Sequence, residues 1–201
     1  MKNFKNILIG LVSLSALFVG TSEVRQMAQG TEKTYKVVKD KHDFLPNSIP
    51  FPFFGASEYS FSIRFEPSIW FGIEDEDYSG GNDIKDWNKI GGMTNYLSAN
   101  NKQSIMMAWR PDTAYMVIQI AAFTNDKNGG FVAGEPELVK VGDYVEGEIK
   151  WFGSTAYYYY GDQIVKHKSK KPFIIREIGP WFGGNQTAHK DMYLHLARRL
   201  R

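Results

Sequence analysis

Residues 58–66 read EYSFSIRFE, and this stretch decides the fold class. Tyr59, Phe61, Ile63 and Phe65 alternate with polar residues along the whole segment. Successive side chains of a β-strand point to opposite faces of the sheet, so this pattern places one face in the core and the other in water. The stretch therefore predicts a half-buried strand in a β-sheet protein.

Further strand signals follow toward the C-terminus. Residues 104–109 and 114–123 are apolar on both faces, which predicts two central strands joined by a turn at Pro111-Asp112. Gly161-Asp162 suits the two-residue loop of a hairpin, because a leading glycine favours a tight turn. The last segment has both helical and strand spacing, and we prefer a strand. The other predicted strands are residues 35–38, 135–141, 144–151, 157–160, 163–167, 172–178 and 191–197.

The fold class follows from the number and shortness of these strands. About ten short strands without a long helical pattern predict an all-β fold of two packed antiparallel sheets, a jelly-roll sandwich. We expect it to occupy residues 34–201 as a single domain. Residues 44–54 contain three prolines, which predicts an extended segment that covers one end of the core.

The N-terminal 22 residues carry the features of a secretory signal peptide. Two lysines precede an apolar run, and residues 20–22 are small. The run spans about 13 residues, whereas a membrane-spanning helix needs about 20. We therefore expect a chain that is exported to the periplasm, the cell surface or the medium, with no transmembrane anchor after processing. Residues 23–33 are predicted to form a flexible leader.

Composition argues against partners that are chosen by net charge and against covalent links through cysteine. Removal of the signal peptide would take away two lysines and leave 22 basic residues against 22 acidic ones. The processed chain then has no overall charge bias toward nucleic acid or an anionic membrane. The sequence has no cysteine, so we expect neither a disulfide framework nor a lipid anchor attached through cysteine.

Three short blocks carry a resemblance to a known group. They are DWNKIGG at residues 86–92, AWR at 108–110 and GPWFGG at 179–184, the last followed by Ala188 and Asp191. Together they resemble a group of uncharacterised exported bacterial proteins, common among gut Bacteroidetes, with a concanavalin-like lectin and glucanase sandwich. The resemblance implies a jelly-roll fold and, because such sandwiches often bind or cut polysaccharides, an extracellular polysaccharide or other glycan as partner.

Aromatic side chains supply the main binding signal. Phe, Tyr and Trp make up 15% of the residues, more than one core of this size can fully hide. Exposed flat rings stack on the apolar face of a pyranose while nearby polar groups bind its hydroxyls. The predicted glycan contacts are Trp87, Trp109, Arg110, Trp181 and Asn185, chosen as loop and rim positions. The alternative is that these rings only pack within the sandwich.

An acidic stretch imitates a calcium-binding loop. Asp75, Asp77 and Ser79 alternate, Gly80 follows, and Asp86 stands at the twelfth position. Oxygen ligands at alternate positions wrap a calcium ion, and the glycine permits the sharp turn. We expect a calcium ion with a structural role here. The alternative is a solvated acidic turn, because the twelfth residue is not glutamate and no flanking helices are predicted.

Two enzyme patterns are incomplete. Glu146 and Glu148 lie on the same face of a predicted strand, roughly 6–7 Å apart, a spacing that could serve a glycosidase. The same face carries a tyrosine and a lysine, as a solvent face does. Gln119-Ile120 imitates part of an alginate-lyase strand, but Ala121 stands where the catalytic histidine is needed. The sequence favours a non-catalytic carbohydrate-binding protein, with a polysaccharide lyase or glycoside hydrolase and a structural or adhesive surface component as alternatives.

Overall fold

The computed structural model describes residues 30–47, 49–70, 86–99, 102–126, 129–183 and 187–201. The predicted signal peptide and most of the predicted leader lie outside these residues. Within them, no helix is long and apolar enough to cross a membrane.

The helical structure described is one 3-10 turn, Pro67–Ile69. The strands are β1 (Lys33–Val37), β2 (Phe44–Leu45), β3 (Phe53–Phe54), β4 (Glu58–Phe65), β5 (Asn88–Asn95), β6 (Ser104–Asp112), β7 (Val117–Asp126), β8 (Gly129–Val139), β9 (Tyr144–Phe152), β10 (Thr155–Tyr160), β11 (Gln163–Lys168), β12 (Ile174–Ile178) and β13 (Met192–Leu200).

The strands form two antiparallel sheets. The seven-stranded sheet has the order β11-β10-β9-β4-β13-β1-β2, and the six-stranded sheet has the order β3-β12-β5-β6-β7-β8. The chain passes repeatedly between the sheets, so each contains strands from both ends of the sequence. The molecule is an all-β, two-sheet sandwich of the jelly-roll type, as predicted.

The core lies between the two sheets. On β4, Tyr59, Phe61, Ile63 and Phe65 are each fully buried, as their alternation predicts. They face inward-pointing side chains of the six-stranded sheet, and the ring centroid of Phe65 lies 5.2 Å from that of Trp109. Full burial of one such side chain contributes roughly 1.5–3 kcal/mol.

The central pair of strands is confirmed, but its turn differs from the prediction. β6 and β7 occupy inner positions of the six-stranded sheet. Pro111 and Asp112 still belong to β6 and lie opposite Ile118 and Val117. Residues 113–116 make the turn instead. Among the described strands, only β7 flanks β6 beyond Trp109, and proline is tolerated on the open side of a strand.

The turn at Gly142-Asp143, between the predicted strands 135–141 and 144–151, joins the two sheets. β8 pairs with β7 in the six-stranded sheet, whereas β9 pairs with β4 and β10 in the seven-stranded sheet. The hairpin at Gly161-Asp162 is confirmed by the pairing of β10 with β11. The strand at the end of the chain is also confirmed, because β13 lies between β4 and β1.

β5 was not predicted from the sequence. Its sequence, NKIGGMTN, has no alternation and contains two adjacent glycines. A β-bulge between Lys89 and Gly91 inserts an extra residue, which shifts the side chains from one face to the other. Glycine is needed at position 92, where φ is +157° and an added Cβ would lie 2.1 Å from the carbonyl oxygen of Ile105.

A buried hydrogen bond joins the two sheets at Tyr158. Its hydroxyl lies 2.5 Å from Oγ1 of Thr124, and burial raises the pKa of Tyr158. We expect Tyr158→Phe to leave the threonine hydroxyl unsatisfied and to lower the free energy of unfolding by about 1–2 kcal/mol in urea denaturation. The double variant Tyr158→Phe, Thr124→Val should recover much of this loss. An unchanged stability in the single variant would contradict the bond.

Candidate functional site

The outward face of the six-stranded sheet carries a chain of polar side chains on β6 and β7. Arg110 lies opposite Gln119 in the strand register. Nε of Arg110 donates a hydrogen bond of 2.7 Å to Oε1 of Gln119. Nε2 of Gln119 in turn donates one of 2.7 Å to Oδ2 of Asp112. These three residues, the polar chain, hold each other in fixed orientations.

Trp87 lies beside the polar chain at the start of β5. The guanidinium carbon of Arg110 lies 4.5 Å from the centroid of the Trp87 ring, within the range of a cation–π interaction. The backbone N–H of Trp87 donates to Oδ1 of Asp86 at 2.7 Å. The ring is half-buried, so its position is set while part of its surface meets solvent.

An apolar cluster forms the floor of this outward face. Its buried members are Met106, Ala108, Phe123 and Ile178, and Trp87 packs against them. These residues lie on the opposite side of the sheet from the main core. Their burial provides a rigid base on which the polar chain and Trp87 are mounted.

Lys89 connects this floor to the backbone of Trp87. Its Nζ donates a hydrogen bond to the carbonyl oxygen of Trp87 and lies 4.2 Å from the ring centroid of Phe123. Burial lowers the pKa of Lys89, although the nearby Asp86 opposes this shift. The ammonium group is therefore held against the protein and fixes the turn that carries Trp87.

Trp181 provides a second aromatic surface. Its ring stacks on His42 with a centroid distance of 5.2 Å and an interplanar angle of 5°. Nδ1 of His42 donates a 2.9 Å hydrogen bond to the carbonyl oxygen of Phe182, which fixes the imidazole ring. The two backbone hydrogen bonds between Trp181 and Lys89, 2.8 and 3.0 Å long, place Trp181 beside the segment that carries Trp87. Trp181 is 36% exposed, so its surface is accessible.

A cavity of about 200 Å³ adjoins Trp181. Three polar residues, Asp43, Asn47 and Arg176, line it together with Trp181. Glu177 also lines the cavity; burial raises its pKa, and Arg198, 3.2 Å away, opposes the shift. A mixture of one aromatic ring with donors and acceptors suits a small polyhydroxylated unit.

Of the five predicted contact residues, three lie on the same side of the molecule, and one is excluded as a contact because it is buried. Trp87, Arg110 and Trp181 lie on or beside the outward face of the six-stranded sheet. Trp109 was wrongly predicted as a contact, because it is fully buried in the main core. It follows the strand alternation and points away from Arg110, its neighbour in sequence. Asn185 lies outside the described residues.

The predicted calcium loop also lies largely outside the described residues. Asp75, Asp77 and Ser79 fall in the undescribed range 71–85. Asp86 is described, and its carboxylate accepts the hydrogen bond from Trp87. Among the residues that the structure does describe, no group of three or more histidine and acidic side chains could hold a metal ion. The calcium site stays a prediction.

Several residues of the site were missed from the sequence. Gln119, Asp112 and Lys89 belonged to a lyase-like strand, a predicted turn and a resemblance block, and none of them was predicted as a ligand contact. His42 belonged to no motif. The signal that could have found Gln119 is its register opposite Arg110 once β6 and β7 are paired. The contact of His42 with Trp181 joins two segments that are distant in the sequence, so no local pattern predicts it.

The carboxylate pair on β9 lies on the outward face of the other, seven-stranded sheet. Glu148 forms an ion pair with Lys150 at 3.1 Å, and both carboxylates line an open cleft of about 700 Å³ with Tyr144 and Tyr159. This arrangement matches a solvent face with local charge pairs. Tyr158 of the neighbouring strand β10 is buried in the core, so it is closed to a substrate.

Comparisons with known proteins found solved structures of partial similarity and no similar sequence. No family model and no curated protein matches the sequence. Alginate lyase A1-II′ of polysaccharide lyase family 7 has a TM-score of 0.45 at 13% identity, over 80% of this chain and 69% of its own. A family 16 endo-glucanase from Bacteroides ovatus has a TM-score of 0.46 at 9% identity, over 84% and 80%. The carbohydrate-binding module CBM66 from Bacillus subtilis has a TM-score of 0.38 at 11% identity, over 74% and 77%. These TM-scores are low, so activity and ligand must be argued from the residues of this chain.

Proposed function

We propose that the chain is an exported, non-catalytic carbohydrate-binding β-sandwich protein whose site is the outward face of the six-stranded sheet. The observation that carries the proposal is the placement of two partly accessible tryptophans, Trp87 and Trp181, on segments joined by backbone hydrogen bonds. Polar side chains with fixed orientations lie beside Trp87, and polar residues line the cavity beside Trp181. This combination is what recognition of a sugar chain requires.

Each part of the site has a distinct role in this proposal. His42 covers one face of Trp181, which leaves the exposed part of the ring to stack on the apolar face of a pyranose. The polar chain beside Trp87 offers amide and guanidinium donors and a carboxylate acceptor to hydroxyl groups. Because both rings and the polar chain are held by neighbouring groups, little side-chain entropy is lost on binding.

The same geometry favours binding over catalysis. Hydrolysis of a glycosidic bond commonly uses two carboxylates that flank the bond. The polar chain contains one carboxylate, Asp112, which already accepts a hydrogen bond from Gln119. On the opposite sheet, Glu148 is paired with Lys150. These contacts suit side chains that position a ligand.

A panel of soluble plant, algal, host and bacterial-wall polysaccharides tests the proposal. We expect at least one to change the tryptophan fluorescence of the protein in a saturable manner, without release of reducing ends or unsaturated uronates. No response across the panel would refute carbohydrate binding. Saturable binding with product release would instead identify a hydrolase or lyase. Export is tested separately by locating the protein in cell fractions.

Calcium binding by residues 75–86 is a separate prediction. Added calcium should raise the melting temperature of the protein, and a chelator should reverse the increase, because the ion binds the folded state alone. The variant Asp75→Ala, Asp77→Ala should lose the response. A melting temperature that is independent of calcium would reject the site without affecting the carbohydrate proposal.

A further inference from the structure

Four apolar side chains are exposed at one end of the six-stranded sheet. Phe51, Phe54, Phe173 and Leu97 are 65%, 67%, 79% and 82% exposed. Single exposed apolar residues are normal, but a group of them at one place marks an interaction surface. None of these four residues belongs to the polar chain or lines the cavity beside Trp181, so the proposed carbohydrate site does not explain their exposure.

Strand pairing brings Phe54, Phe173 and Leu97 to the same place, and the ring centroid of Phe51 lies 5.7 Å from that of Phe53, the neighbour of Phe54. Phe54 of β3 lies opposite Ile174 of β12, and the ring centroids of Phe54 and Phe173 are 6.1 Å apart. The backbone N–H of Tyr96 donates a 3.0 Å hydrogen bond to the carbonyl oxygen of Ile174, which brings the turn with Leu97 to the same end. We call the described residues of 51–57, 95–103 and 168–173 the phenylalanine corner.

The phenylalanine corner is also basic. Its three segments contain four lysines and no aspartate or glutamate. Lys102, Lys168 and Lys170 are exposed. Nε2 of Gln103 donates a 2.9 Å hydrogen bond to the carbonyl oxygen of Lys170, which joins two of the segments directly. The near-neutral charge of the whole chain therefore conceals a local concentration of positive charge beside exposed rings.

We propose that the phenylalanine corner docks on an anionic phospholipid membrane. Phenylalanine and leucine side chains have no hydrogen-bonding groups, so they gain from a layer of hydrocarbon, and lysines gain from lipid phosphates. A soluble polyanion would satisfy the lysines but would offer no apolar layer to the rings. The membrane surface matches both properties, and docking there does not depend on the proposed carbohydrate site.

Co-sedimentation with lipid vesicles tests this inference on the full-length protein. Vesicles of phosphatidylcholine and phosphatidylglycerol at seven to three should bind the protein, and pure phosphatidylcholine should bind it much more weakly. Each lysine near an anionic surface contributes about fivefold to binding, so Lys102→Gln with Lys170→Gln should weaken it about 30-fold. Phe54→Ser with Phe173→Ser should weaken it about tenfold or more. Raised salt should weaken binding of the wild type.

Matched variants distinguish binding through the phenylalanine corner from nonspecific adsorption of the protein to vesicles. Tyr115→Ser with Ile164→Ser removes two exposed apolar side chains at other positions, and Lys41→Gln with Lys166→Gln removes two exposed lysines elsewhere. Both control proteins should bind vesicles as the wild type does. Equal losses in the control and test variants would overturn the inference, as would absence of binding to the anionic vesicles. Binding of the corner to soluble heparin but not to vesicles would assign it to a polyanion and would also overturn it.

Discussion

Replacing Trp109 with alanine is expected to lower the free energy of unfolding by about 3–5 kcal/mol. The side chain is fully buried between the sheets, where its ring lies 5.2 Å from that of Phe65 and 6.5 Å from that of Phe182. Its removal leaves a cavity that the surrounding strands cannot fill without distortion. Urea denaturation followed by circular dichroism measures the loss.

Trp181→Ala is the matched control, because it removes the same type of side chain from a partly exposed position. Its ring stacks on His42 at the surface, so we expect a loss of about 1 kcal/mol or less. If Trp109→Ala were as mild as Trp181→Ala, the inward orientation of Trp109 would be wrong. The original interpretation of Trp109 as a ligand contact would then need to be reconsidered.

Gly92→Ala is expected to cost about 3 kcal/mol or more in unfolding free energy. An added Cβ would lie 2.1 Å from the carbonyl oxygen of Ile105 and 2.7 Å from Cα of Met106, both backbone atoms of the adjacent strand. These atoms cannot move without separating β5 from β6. The φ of +157° adds backbone strain for any residue other than glycine.

Gly142→Ala separates the cost of the steric clash from the cost of backbone strain at a positive φ. Gly142 also has a positive φ, +94°, but an added Cβ there would have no atom within 4 Å. We expect Gly142→Ala to cost about 1 kcal/mol. Equal stabilities of the two alanine variants in the same denaturation experiment would contradict the close approach of β5 to β6.

The elements that could be predicted from sequence are those with strong local patterns. β4 alternates perfectly, the β10–β11 hairpin has a glycine-led turn, and both appear as predicted. β5 could not be predicted in this way, because a bulge and two adjacent glycines interrupt its alternation. The assignment of β8 and β9 to different sheets depends on long-range pairing, which a short turn sequence does not encode.

The candidate site also contains residues that the sequence predicted and residues that only long-range contacts reveal. Trp87, Arg110 and Trp181 were selected for their residue type and are found on one side of the molecule. Trp109 was selected by the same reasoning, but strand alternation turns it into the core. The groups that orient the site, Gln119 and His42, depend on contacts across strands and between distant segments. Residue type alone therefore indicated the kind of site, while pairing determined its members.

Calorimetric titration of two aromatic variants distinguishes the two outward faces as binding surfaces. The titrant is the polysaccharide that gives the largest fluorescence response with the wild type. Trp181→Ala removes a ring beside the six-stranded sheet, and Tyr144→Ala removes one from the seven-stranded sheet. We predict that Trp181→Ala weakens binding at least tenfold, about 1.4 kcal/mol, while Tyr144→Ala binds as the wild type does. Loss of binding in Tyr144→Ala with full binding in Trp181→Ala would contradict the assignment and place the ligand on the acidic cleft of the opposite sheet.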